Sequence, residues 1–74
     1  MDPEWLTRQL KMLEEHLAKG EDLIREQRAR IEALERLGAD TTEAQDFFAI
    51  LKQAQDDLHE RHRAYLAREL GRPG

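Results

Sequence analysis

The sequence predicts an all-α fold, an antiparallel two-helix hairpin of coiled-coil type that dimerises into a four-helix bundle. Three observations predict it. The run Gly38-Ala39-Asp40-Thr41 separates two long amphipathic stretches by too few residues for anything but a direct reversal. Apolar residues on each side recur at alternating steps of four and three, the heptad rhythm of packed helices. The segments that a reversal brings together carry opposite charge. Residues 1–24 hold six acids and three bases, while 61–74 hold one acid and four arginines; the middle segments 25–38 and 39–60 are net +1 and −5.

The first helix is expected over residues 3–37. Asp2 is its N-cap, Pro3 takes N1 where a missing N–H is harmless, and Glu4 falls in the favourable first turn. Its seam reads Leu6, Leu10, Leu13, Leu17, Gly20, Ile24, Gln27, Ile31 and Leu34, with Gly20 and Gln27 as interruptions. Trp5, Met12, Leu23, Ala33 and Leu37 widen the apolar stripe beyond what a single partner helix can cover.

Residues 38–40 form the turn. Gly38 ends the first helix, because glycine takes the left-handed C′ conformation without steric conflict. Asp40 and Glu43 have the spacing of a capping box.

The second helix is expected over 41–70, with Gly71 as its C′ glycine, Pro73 beyond, and 71–74 as a short tail. Its seam reads Ala44, Phe47, Leu51, Ala54 and Leu58, flanked by Phe48 and Ile50, and then loosens through His62, Tyr65, Leu66 and Leu70 toward an 11-residue period. Folding back sets Gly20 near Leu58, whose side chain would fill the glycine's gap, and Leu34 near Ala44 or Phe47. The whole chain, 1–74, is one domain.

Composition bounds the function. A 38% charged chain with four aromatic residues suits long solvated helices. A net charge of −4 argues against general nucleic-acid or anionic-membrane binding. There is no cysteine, hence no thiolate chemistry. The longest apolar run, Phe47 to Leu51, is far short of a membrane span, and no basic segment followed by an apolar run marks a signal peptide. A cytoplasmic location is the expectation.

Chemistry has one candidate constellation. His59 and His62 stand three apart, Asp56 precedes His59 by three, and the hairpin register draws His16 toward His62. Inward carboxylates and histidines at such spacing build metal sites in helical bundles. The signal is weak, because helix one offers no matching Glu-x-x-His pair; the plainer reading packs His16 and His62 together at a polar seam end. Gln27 suits a register-setting polar residue, with Gln53 and Gln55 either partnering it or lying exposed. Arg25, Arg28, Arg30 and Arg36 alternate with Glu26, Glu32 and Glu35, an ion-paired solvated face. No phosphate-binding glycine loop, nucleophile elbow or zinc spacing occurs.

The runs Glu15-His16-Leu17-Ala18-Lys19-Gly20-Glu21, Gln27-Arg28, Ile31-Glu32-Ala33-Leu34-Glu35-Arg36 and Gly38-Ala39-Asp40-Thr41-Thr42-Glu43-Ala44 carry a resemblance. Over roughly residues 14–70 the chain resembles a group of short helical proteins of alphaproteobacteria, rhizobia especially, that share a Gly-x-Asp-Thr-Thr-Glu-Ala turn. The resemblance implies a natural helical bacterial protein. It assigns no activity, cofactor or partner, so no residue role is carried over. The pair Phe47-Phe48 departs from the aliphatic residues expected there, and Gly20 and Gln27 are not choices of an idealised design.

These readings predict a non-enzymatic interaction or structural module without cofactor, whose partner is a second copy of itself or another protein, and neither nucleic acid nor membrane. The predicted interface residues are Leu23, Leu37, Phe47, Phe48, Ile50 and Leu51 near the turn, with Trp5 and Met12 at the open end. The alternative is a metal-binding bundle using His16, His59, His62 and nearby carboxylates.

Overall fold

Every third or fourth residue of the first helix that the heptad seam selects faces its neighbour, and the deepest of them, Leu6, Leu13 and Leu17, are buried. They belong to α1 (Pro3–Arg36), which packs antiparallel against α2 (Thr42–Leu70) in a hairpin 58 × 15 × 13 Å. This computed structural model describes residues 3–71, and among them there are two helices and no strand. The expected Asp2 cap and Pro73 lie outside the described residues.

α1 ends at Arg36 in a complete Schellman motif. Gly38 has φ +70°, the Ala39 N–H reaches back to the Leu34 carbonyl at 3.0 Å, and the Gly38 N–H to the Glu35 carbonyl at 3.0 Å.

The entry to α2 differs from a capping box. Thr41 stands at the N-cap position and makes no side-chain cap bond. Asp40 caps from one residue earlier, its carboxylate accepting the Thr42 N–H at 3.0 Å and the Thr42 hydroxyl at 2.7 Å. Thr41 instead receives the Gln45 amide at 3.0 Å. Glu43 remains in the first turn, where a carboxylate suits the helix dipole. At the far end Gly71 closes α2 with φ −85°, so the expected left-handed glycine cap is not formed; the Gly71 N–H simply continues the ladder to the Ala67 carbonyl at 2.9 Å.

The hydrogen bonds onto Asp40, first from the Thr42 amide and then from its hydroxyl, hold the carboxyl below the ordinary aspartate range. A group whose folded value is depressed contributes stability above its unfolded value, near pH 4, and loses that contribution as pH falls through the folded value. Wild-type hairpin is therefore expected to lose stability against Asp40→Asn on acidification below about pH 4. Urea titrations of both proteins at pH 6 and pH 3 measure this; an unchanged difference would mean the turn bonds do not depend on the charge.

The seam of α2 is Ala44, Phe48, Leu51, Gln55, Leu58, His62 and Tyr65, an unbroken four-three ladder of half-buried or buried positions. Two expectations are corrected here. Phe47 and Ala54 lie one residue off the ladder and are exposed, and the spacing does not loosen after Leu58. The reason is Gln55. Only 6% exposed, it occupies the place facing Gly20 that Leu58 was expected to fill, and its amide donates to the Leu17 carbonyl at 2.8 Å. A β-carbon at residue 20 would land on that amide, meeting its Oε1 and lying 2.8 Å from Cδ and 3.2 Å from Nε2.

Gln27 does the reverse. Its Nε2 crosses from α1 to the Ala44 carbonyl of α2 at 2.9 Å. The two glutamines thus pin each helix to the other's backbone at points about 15 Å apart, given 1.5 Å per residue. A heptad slip would take Gln55 away from the one seam position with no side chain. Gln53, the other suggested partner for Gln27, is exposed and bonds Asp57 on its own helix at 3.1 Å.

Gly20→Ala gains about 1 kcal/mol of helix propensity but displaces the Gln55 amide, a loss of similar size. The single variant is therefore expected near neutral or destabilised, whereas the gain should emerge in Gly20→Ala/Gln55→Ala. A double-mutant cycle by urea denaturation at fixed chain concentration should give a coupling of about 1–2 kcal/mol. Additivity within about 0.3 kcal/mol would mean the glycine and the amide are not packed together.

Candidate functional site

With a heptad seam occupied, each helix has two flanks, and in this hairpin they differ in kind. On one flank α1 carries Trp5, Met12, Leu23 and Arg30, spaced by 7, 11 and 7 residues and so in line along the helix, with Leu37 following just past its end. The matching line on α2 runs Phe47, Ile50, Ala54, Asp57, Arg61 and Arg68. A shallow cleft between them is lined by Leu23, Gln27, Arg30, Phe47 and Leu51, and it continues toward the turn past Leu34, Asp40, Glu43 and Ala44. Leu23 is 49% exposed, Phe47 50%, Ile50 64% and Leu37 80%. These are large apolar side chains with no cover inside the hairpin. Met12 is exposed too.

The other flank is polar except for the exposed Leu66 and Leu70 near the end of α2. It presents Glu14, Glu21, Arg28, Lys52, Asp56 and His59. Phe48, on the seam, is roofed there by cations, with the Arg28 guanidinium 5.6 Å and the Lys52 ammonium 5.8 Å from its ring centre. Exposed ion pairs such as Arg25–Asp22 at 3.1 Å and Arg63–Glu60 at 2.7 Å complete the solvated surface. Each of these contributes little to stability.

The predicted interface residues therefore divide. Leu23, Leu37, Phe47, Ile50 and Met12 stand open on the apolar flank. Leu51 is half-buried at the cleft floor, and Phe48 belongs to the seam of the hairpin itself. Trp5 is half-buried because its ring meets Tyr65 of α2 edge-on, with centroids 5.7 Å apart and planes at 88°. That contact ties the open end of the hairpin shut.

The histidines do not gather. His62 faces Glu14 across the seam, Nε2 to Oε1 3.4 Å, rather than His16. His16 and His59 are exposed. Among the described residues no group of three or more histidine, aspartate and glutamate side chains is arranged to hold a metal ion. No described helix is long and apolar enough to cross a membrane.

Sequence reasoning missed Gln55 and Glu14. The signal for Gln55 was the step of four from Leu51 and three to Leu58, which selects 55 over 54 once polarity is ignored. For Glu14 the sequence held no signal beyond its acidic charge near a facing histidine.

No protein family matches the chain, nor does any curated protein or solved structure.

Proposed function

We propose that this hairpin is a non-enzymatic structural or interaction module that self-associates through its apolar flank, two hairpins forming a four-helix bundle. The observation that carries it is the asymmetry: Leu23, Phe47, Ile50 and Leu37 about half or more exposed on one flank, while the other is charged or polar except for Leu66 and Leu70 near the end of α2. Patches of this kind on small proteins mark interaction surfaces. Area points the same way. The chain exposes 5814 Å², whereas a compact monomer of its mass exposes roughly 4,700 Å². The excess, about 1,100 Å², exceeds the roughly 800 Å² that each partner buries in a standard interface.

Self-association couples folding to concentration. The thermal midpoint, followed by circular dichroism, is expected to rise as chain concentration increases from low micromolar to several hundred micromolar. A midpoint that stays constant over that range would contradict self-association and turn attention to a different protein on the same flank.

A further inference from the structure

The apolar flank carries a charge gradient along its length. Near the turn its cleft is bordered by Glu26, Asp40 and Glu43 against Arg30 alone. Toward the open end, helical spacing places Arg8, Arg61 and Arg68 along the same flank against Asp57, with Arg8 paired to Glu4 at 3.8 Å and Arg68 lying over the Tyr65 ring at 6.0 Å. One end is acidic and the other basic. Building on the self-association proposed above, we infer that the second copy lies head to tail, the turn of each hairpin over the open end of the other.

A two-fold axis across the flank at the level of Gly20 and Lys52 satisfies this arrangement. The Gln55–Leu17 bond sets that level, since three residues further along α1 and three back along α2 bring Gly20 beside Lys52. Glu43 and Arg61 lie nine residues on either side of Lys52, so the axis carries Glu43 of one copy onto Arg61 of the other. Leu37 and Trp5 lie 17 and 15 residues on either side of Gly20, so the exposed leucine at each turn reaches the Trp5–Tyr65 pair at the opposite open end. Ile50 and Ala54 lie two residues on either side of Lys52, so Ile50 of one copy meets Ala54 of the other, with Leu23 and Phe47 three and five residues from the axis. The side-by-side alternative, turn beside turn, would set the acids of one turn on those of the other and the arginines of one open end on those of the other. Rim charges of this sort determine orientation more than affinity.

The chain has no cysteine, so a nitroxide on Ala39→Cys, an exposed position in the turn, reports the geometry by pulsed electron–electron resonance. Head-to-tail pairing predicts an inter-label distance of about 50 Å, the length of a 34-residue helix at 1.5 Å per residue. A dimeric mass with a distance of about 25 Å or less, the width of a bundle of 10–12 Å helices, would overturn the orientation and leave self-association standing. A monomeric mass would overturn both. A charge swap gives a second measure. Glu43→Arg and Arg61→Glu should each weaken association by about fivefold, and the double variant should recover it; a double variant no tighter than the weaker single one would also overturn the orientation.

Discussion

Phe47→Glu is expected to turn a two-chain assembly into single chains while leaving the hairpin helical. Phe47 is half exposed and off the helix–helix seam, so its substitution removes nothing that holds α1 to α2. In a dimer formed through the apolar flank it would be buried near the two-fold axis, twice per assembly. Covering the exposed half of two phenylalanine rings is worth about 3–5 kcal/mol at ~25 cal/mol/Å², so the dissociation constant should rise at least 100-fold. Phe48→Glu should behave differently. Phe48 sits on the seam beneath Arg28 and Lys52, and a carboxylate there weakens the hairpin itself. Sedimentation and far-ultraviolet circular dichroism separate the two: loss of mass with helicity kept for Phe47→Glu, loss of helicity for Phe48→Glu. A Phe47→Glu protein that stayed dimeric would remove this residue from the interface.

Leu13→Ala should have the largest effect on stability. Leu13 is among the three buried apolar side chains that form the hairpin's core, and truncating a buried leucine costs about 2–5 kcal/mol, depending on how far the cavity collapses. For a chain of this length that corresponds to a fall in thermal midpoint of at least 10 °C. Leu70→Ala, at an exposed site near the end of α2, should shift it by no more than a few degrees. Thermal melts at one fixed chain concentration compare them. Equal effects at the two sites would mean that Leu13 is not part of the core.

Much of this architecture is legible in the residues. The seam of α1 from Leu6 to Leu34, the glycine stop at Gly38 and the antiparallel reversal follow from heptad spacing, glycine's access to positive φ, and opposed charge. The seam of α2 was harder, because apolarity and spacing disagree there. Phe47 and Ala54 are more apolar choices than their neighbours, but Phe48 and Gln55 keep the ladder. A buried glutamine reads as a surface residue until the facing glycine and the Leu17 carbonyl are placed beside it. That match spans two helices and cannot be seen in either alone. The same holds at the turn, where Asp40 caps through Thr42 rather than in a box with Glu43, since both arrangements use the same residues at nearly the same spacing.

The exposed apolar flank was legible in outline, but not how its residues divide between flank and seam. One-sided widening of the stripe by Leu23, Leu37 and Met12 identified an uncovered flank. It did not reveal that Trp5 is held by Tyr65 within the hairpin, nor that Phe48 turns inward while Phe47 turns out. A small rotation of α2 exchanges the roles of neighbouring phenylalanines, and the seam's glutamine sets that rotation.

Self-association requires that the apolar flank be complementary to itself. Sedimentation equilibrium across a concentration series tests it most directly. A self-complementary flank gives a mass near twice 8.7 kDa that persists at low micromolar concentration. A mass of 8.7 kDa at every concentration up to several hundred micromolar would contradict it.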